Sequence, residues 1–188
     1  MANRYDVLIK NGRVVDPASG LDGVADVAVA EGRIAEIAAD LDPTRAEEVL
    51  DVGGCCVVPG IIDLHMHASA WLGGRFAHKM MARVGVTTAL DMSGPVGSVM
   101  DILREHGTGL NIACIEAVRP GLTVRDVNPD QAELEALTVK ALGSGAIGLK
   151  LLGGHYPLTP EATARAIAVA NAHRAYVAFH AGTADHGS

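Results

Sequence analysis

The chain has 188 residues, and its 15 lysines and arginines against 22 aspartates and glutamates give a formal net charge of −7. This acidic balance argues against a nucleic-acid-binding or anionic-membrane-binding surface. A content of 49% hydrophobic and 20% charged residues excludes a disordered chain. Three cysteines without a CxxC spacing, no secretory signal pattern and no run of about 20 apolar residues favour a cytoplasmic protein.

Residues 1–58 have the pattern of short antiparallel strands in a small N-terminal β-sandwich lobe. Strand-like segments at 5–10 and 13–15 flank Asn11-Gly12, a dipeptide that predicts a hairpin turn. Glu31-Gly32 predicts a second turn between the next two strands. The remaining predicted strands of this lobe cover residues 24–30, 33–38, 47–52 and 55–58.

From Pro59-Gly60 onward, apolar strand-like runs alternate with helical patterns. The predicted strands are 61–67, 86–91, 110–116, 146–152 and 175–180, and the predicted helices are 73–84, 96–106, 130–142 and 160–173. Continuously apolar strands that alternate with helices predict a parallel α/β architecture. Five strands can form a doubly wound sheet, whereas a (β/α)8 barrel needs three more units and about 250 residues.

The motif Asp63-Leu64-His65-Met66-His67 lies at the carboxyl end of the first of these strands. Because side chains alternate along a strand, Asp63, His65 and His67 are expected on one face. Two imidazoles on one face at a strand end can bind one metal ion from the same side, and Asp63 could orient an imidazole ring. The alternative is a pair of histidines in an ordinary strand.

Lys150 and His180 lie in two later strands of the same predicted array. A lysine within an apolar strand is unusual, because burial of an ammonium is costly and lowers its pKa. A neutral amine can take up carbon dioxide as a carbamate, which can bridge two metal ions. Taken singly, Lys150 could extend its ammonium to solvent, and His180 could be a core histidine, but core packing does not explain their joint placement at strand ends.

The PGxIDxHxH pattern at 59–67, Gly148-Leu149-Lys150 and the strand-end His180 together resemble the amidohydrolase superfamily. The resemblance is to its binuclear hydantoinase, dihydroorotase and N-acyl-amino-acid hydrolase branch, and the N-terminal strand pattern resembles the β-lobe of that superfamily. It implies an N-terminal β-sandwich lobe at residues 1–58. It also implies the first five strands of a (β/α)8 TIM barrel at residues 59–188.

The same resemblance implies a metal-dependent hydrolase of amide, cyclic amide or related ester bonds. His65 and His67 would bind the more buried of two divalent ions, expected to be zinc, and His180 the more exposed one. Lys150, carrying a carbamate derived from carbon dioxide, would bridge both ions. A metal-bridged hydroxide would be the nucleophile, and the ions would polarise the scissile carbonyl.

Two parts of the family pattern are expected beyond Ser188, namely a fourth histidine after strand six and a catalytic Asp after strand eight. We therefore expect residues 1–188 to be part of a longer chain of about 350 to 400 residues and to be inactive alone. The alternative is a non-catalytic binding or assembly member of the same fold. The bridging Lys150 argues against the mononuclear deaminase branch.

The substrate is predicted to be a small molecule. Dihydroorotases carry an arginine where this sequence has Ser69, which disfavours a dihydroorotase. His155 and Tyr156, in the loop after the fourth strand, are candidate substrate contacts, and a homo-oligomer is expected. His78 is predicted on a helix surface, and the GxGxxG pattern at 143–148 precedes a strand, which is the wrong context for a dinucleotide site.

Overall fold

The computed structural model describes residues 4–68, 75–92 and 94–182, and the chain divides after Pro59 into two compact units. The first unit contains a 3₁₀ turn, Pro43–Arg45, and five strands: β1 (Tyr5–Asp16), β2 (Leu21–Ala30), β3 (Arg33–Ala38), β4 (Ala46–Asp51) and β5 (Cys56–Val57). Among the described residues, no helix is both long enough and apolar enough to cross a membrane.

The second unit alternates strands and helices in the predicted order. Its elements are β6 (Ile61–Met66), α1 (Arg75–Arg83), β7 (Val86–Asp91), α2 (Val96–His106), β8 (Asn111–Cys114), β9 (Glu116–Val118), α3 (Gln131–Gly143), β10 (Gly148–Leu152), α4 (Pro160–Ala172) and β11 (Tyr176–His180). All strand pairs in this unit are parallel among the described residues, so the predicted parallel α/β architecture is confirmed.

The sheet of the first unit has the order β3-β2-β1-β4, and β5 also pairs with β1. The prediction of antiparallel strands holds for β1 with β2 and for β2 with β3. It is wrong for β4 and β5, which both run parallel to β1. Tyr5, Leu8, Ala28 and Leu41 form the buried core of this unit.

The predicted hairpin at Asn11-Gly12 is absent, because β1 continues through this dipeptide. A two-residue turn of this type needs positive φ at both central residues, but only Asn11, with φ 65°, has it. The register of β1 with β2 shifts between Ile9 and Gly12, and Asp26 accepts a 2.9 Å hydrogen bond from the Asn11 N–H. At Glu31-Gly32 both residues have positive φ, and the predicted turn is confirmed.

Two three-stranded parallel sheets, β6-β7-β8 and β9-β10-β11, form the second unit. Only Ile115 separates β8 from β9, so the single strand predicted at 110–116 is split in two. Hydrogen bonds bridge this break, with the Ile115 N–H donating to Asp91 O at 3.3 Å and the Ile147 N–H donating to Cys114 O at 2.8 Å. The five predicted strands are therefore neighbours in space in the same order as in the chain.

Helices α3 and α4 pack on the β9-β10-β11 sheet through an apolar cluster that includes Val118, Leu134, Leu149 and Val169. Each helix begins with a side-chain cap, Asp130 accepting from the Glu133 N–H at 2.8 Å and Thr159 accepting from the Ala162 N–H at 3.2 Å. Such caps satisfy backbone donors that have no partner within the helix. The caps and the cluster hold the sheet that carries Lys150 and His180.

Gly148 allows β10 and β11 to approach each other closely. A Cβ atom at this position would overlap the backbone carbonyl of Tyr176, and a strand backbone cannot move aside cheaply. We expect Gly148→Ala to lower the free energy of unfolding by about 1–3 kcal/mol, measured by chemical denaturation. Gly97→Ala in α2 is the matched control, because nothing lies within 4 Å of its added Cβ. Equal losses in both variants would contradict the packing argument.

Candidate metal centre

The two histidines of the HxH motif lie at the carboxyl end of β6 with their rings side by side. Their Nε2 atoms are 3.2 Å apart and their ring centroids 5.2 Å apart. Two nitrogens bound to one tetrahedral zinc at about 2.0–2.1 Å lie about 3.3–3.4 Å apart. The spacing of His65 and His67 therefore fits two ligands of a single zinc ion.

The alternation of side chains along β6 explains why the two imidazoles share a face. Met66, between them, points the other way and is buried. Ile62 and Leu64, which alternate with the ligand face as Met66 does, are 60% and 67% exposed.

Asp63 contacts the backbone of the motif. Its Oδ1 accepts a 3.0 Å hydrogen bond from the His65 N–H. An aspartate that bonds the backbone two residues on restrains the local chain, and this bond fixes the peptide that carries His65. The predicted bond from Asp63 to an imidazole ring stays a prediction.

Lys150 is buried in the middle of β10 and is only 2% exposed. The alternative in which its ammonium extends to solvent is therefore wrong. Its Nζ donates to Met92 Sδ at 3.4 Å, and a thioether is a weak acceptor. Met92 itself belongs to an apolar cluster with Leu90, Ile115 and Ala178. Burial lowers the pKa of the Lys150 ammonium, which favours the neutral amine.

His180 ends β11, where it pairs in register with Leu152 of β10. Its ring meets that of His155 edge to face, with 5.4 Å between centroids. The Gly153 N–H donates to His180 O at 2.9 Å and ties the strand end to the following loop. The loop that carries the two predicted substrate contacts, His155 and Tyr156, thus begins beside His180.

Electrostatic interactions connect the four predicted metal-binding residues. Burial lowers the pKa of His67, the charges of His65, Lys150 and His180 act in the same direction, and Asp91 opposes them. In residues 4–68, 75–92 and 94–182, no three His, Cys, Asp or Glu side chains are arranged to hold a metal.

Several residues near the centre were missed by the sequence analysis. Asp91 is fully buried at the end of β7, and His78, predicted on a helix surface, is 1% exposed in α1. Burial lowers the pKa of His78, and the charge of Asp91 opposes this shift. An acidic residue that ends an apolar strand is a signal that could have found Asp91. Ser69, the basis for disfavouring a dihydroorotase, lies outside the described residues.

No family model matches the chain. Among curated proteins it is similar to the dihydroorotase of Pelobacter propionicus, with 45% identity over 62 residues, which is 33% of this chain and 15% of that protein. It is also similar to the dihydroorotase of Syntrophotalea carbinolica, with 49% identity over 61 residues, 32% of this chain and 14% of that protein. The matched stretch is therefore a small part of these relatives.

Solved structures match nearly the whole chain. A D-aminoacylase mutant in complex with CuCl2 has 26% identity and a TM-score of 0.73, over 94% of this chain and 45% of that one. The L-hydantoinase from Arthrobacter aurescens has 22% identity and a TM-score of 0.72, over 95% and 41%. A further D-aminoacylase structure addresses the functional role of a binuclear metal centre. This chain spans less than half the length of each of the first two structures.

Proposed function

Because this chain belongs to the amidohydrolase superfamily, in its hydantoinase and dihydroorotase-like branch, we propose that it is the metal-binding part of a hydrolase of amide or cyclic amide bonds. Related esters are included among the proposed substrates, and the bonds cleaved are C–N bonds other than peptide bonds. The observation that carries the proposal is the buried Lys150, which lies among apolar side chains and within electrostatic range of His67.

The proposed fold is an N-terminal β-sandwich lobe at 1–58 followed by the first part of a (β/α)8 TIM barrel at 59–188. The parallel strands β6 to β11, with helices between them, support the barrel. In such barrels the active site lies at the carboxyl ends of the strands. His65, His67 and His180 all lie at such ends.

In the proposed centre, His65 and His67 would hold one divalent ion and His180 would hold a second. Lys150, as a carbamate, would supply oxygen ligands to the ions. Zinc is the proposed metal, supported by imidazole ligands and by the Nε2 spacing of the HxH pair. When bound, such ions would supply Lewis-acid chemistry, polarising the scissile carbonyl and lowering the pKa of a bound water.

Lys150 is suited to carbamate formation in its unmodified state. Its neutral Nζ adds to the carbon of carbon dioxide, so that an N–C bond forms while one C=O π bond breaks and its electron pair stays on oxygen. One N–H proton then passes to water. Burial favours this reaction because it favours the neutral amine. The product is an anion in an apolar environment, and two adjacent cations would compensate its charge.

His155 and Tyr156 are the proposed contacts to a small-molecule substrate. The contact of the His155 ring with His180 supports this assignment, because it brings the loop beside a proposed metal ligand. Cytoplasmic location and a homo-oligomer complete the proposal. The free state of Cys55, Cys56 and Cys114 supports a reducing compartment.

The test is hydrolysis by the full-length native protein loaded with zinc. We expect it to cleave at least one member of a panel of N-acyl amino acids, hydantoins and dihydropyrimidines, and to lose this activity on chelation. The control is chelated protein reloaded with zinc, in which activity should return. A zinc-loaded protein with two bound ions that cleaves no panel member would favour the alternative, a non-catalytic binding or assembly member of the fold.

A further inference from the structure

Arg119 and Tyr156 form a cation–π pair just beyond the ends of β9 and β10. The guanidinium carbon of Arg119 lies 4.1 Å from the centroid of the Tyr156 ring. Both residues are half-buried. Neither the metal ligation nor the hydrolysis proposed above uses Arg119, so this pair needs an explanation of its own.

Strand register places Arg119 on the same face as Lys150. Ala117 pairs with Lys150, and side chains paired in register point to the same face of a sheet. Arg119 follows Ala117 by two residues and therefore continues that face past the strand end. Ala178 of β11 also pairs with Lys150, and His180 follows Ala178 by two residues. His180 therefore lies on the same face as Lys150. The ends of β9 and β11 lie two strand spacings apart, which is about 10 Å at about 4.8 Å per strand.

The backbone on both sides of the pair is held in place. The Thr123 hydroxyl accepts from the Arg119 N–H at 2.7 Å and donates to Ala117 O at 2.6 Å. The Tyr156 N–H donates to Leu152 O at 2.7 Å, which folds the loop back onto the end of β10. Arg119 is thus held in position before any ligand arrives, which lowers the entropic cost of binding.

Arg119 has no carboxylate partner in the part of the chain that the structure describes. A guanidinium stacked on an aromatic ring keeps its N–H edge available, and this planar edge matches a carboxylate through two parallel hydrogen bonds. A positive charge that is half-buried, fixed and without an acidic neighbour is suited to bind an anionic ligand.

We propose that Arg119, positioned by Tyr156, binds a carboxylate of the substrate and makes the enzyme selective for acidic amides. This inference rests on the proposed function. The bound class is an amide that also carries a carboxylate, such as an N-acyl amino acid. Tyr156 is a positioning residue in this proposal. Its ring, rather than its hydroxyl, holds the Arg119 guanidinium in place.

The first test compares an N-acyl amino acid with its carboxamide as substrates of the full-length zinc-loaded protein. We expect the native enzyme to prefer the acid, with the difference in KM rather than kcat. Arg119→Gln should lower the ratio of kcat/KM for acid over carboxamide by about 10- to 100-fold, and Arg119→Lys by less. Arg104→Gln, an exposed arginine on α2, is the matched control and should keep the native ratio. An unchanged ratio in Arg119→Gln would overturn the inference.

Tyr156 variants separate positioning from general damage. Tyr156→Phe keeps the ring and should keep the native ratio, whereas Tyr156→Leu should lower it in the same direction as Arg119→Gln. Loss of selectivity in Tyr156→Phe as large as in Tyr156→Leu would contradict the role given to the ring.

Binding provides a measurement that does not depend on hydrolysis. N-sulfonyl amino acids and their carboxamides resist hydrolysis, and calorimetry gives the affinity of the protein for each. We expect the native protein to bind the acid more tightly and Arg119→Gln to bind both equally. Equal native affinities would overturn the inference even if the enzyme is active. If the native protein binds the acid more tightly but hydrolyses no substrate, the inference about Arg119 stands and the proposed function is wrong.

Discussion

Replacing His65 and His67 together by alanine is expected to abolish metal binding at the more buried site. The two Nε2 atoms, 3.2 Å apart, are the protein nitrogens proposed for that ion. Metal content, measured by plasma emission spectrometry, should fall from two ions per subunit to one or none. Activity should fall by about 10³-fold or more, because metal polarisation supplies several kcal/mol of transition-state stabilisation.

The matched control is His106→Ala, which removes an imidazole at the end of α2 and far along the chain from the motif. It should retain the native metal content and activity. The two single variants should each weaken the buried site, since each leaves one imidazole in place. Native metal stoichiometry in the double variant would rule out the proposed ligand pair.

Replacing Lys150 by methionine is expected to abolish activity and to stabilise the metal-free protein. The variant cannot form a carbamate, so the bridge between the two ions is lost, with a fall in kcat/KM of about 10³-fold or more. The buried amine has Met92 Sδ as its weak acceptor, and removing a poorly compensated buried polar group should raise the free energy of unfolding by about 1–3 kcal/mol.

The stability of the metal-free protein should also depend on pH through Lys150. Its pKa is lowered in the folded state by burial, so the unfolded chain binds more protons at this group. Stability contributed by this group therefore rises with pH between the lowered pKa and the ordinary value of about 10.4. Lys150→Met should lack this rise, whereas Lys79→Met, at an exposed lysine of α1, should keep it.

Carbon-13 spectroscopy of protein reloaded with metal in labelled bicarbonate tests the carbamate directly. A carbamate signal is expected in the native protein and absent in Lys150→Met. A short carboxylic acid added to Lys150→Ala should restore part of the activity, because it can occupy the space of the missing carbamate. Full activity in Lys150→Ala, or a free amine beside two occupied metal sites, would refute the bridging role.

The elements of the second unit could be read from the sequence because their signals are local. The apolar run at 86–91 and the helical pattern at 96–106 coincide with β7 and α2. The pleat of a strand also predicts that His65 and His67 share a face, without any knowledge of the rest of the fold. The apolar residues on both sides of Lys150 likewise show, from the sequence alone, that a lysine at this position is unusual.

Pairing between distant segments is what the sequence did not predict. Asn11-Gly12 has the composition of a hairpin turn, but β1 continues because it pairs with β2, β4 and β5, so the sheet overrides the local preference. His78 was predicted on a helix surface but is buried. Its burial depends on how α1 packs on β7, which the sequence of α1 does not show. Neither outcome has a signal within its own segment.

The sequence by itself determined the order of strands and helices, the shared face of His65 and His67, and the presence of a lysine in an apolar strand. Only the tertiary structure decided that Lys150 is buried against Met92, 58 residues away, and that Arg119 stacks on Tyr156. The physical reason is that periodicity and turn composition act over a few residues. Burial and side-chain pairing depend on which distant strands and loops become neighbours in the folded chain.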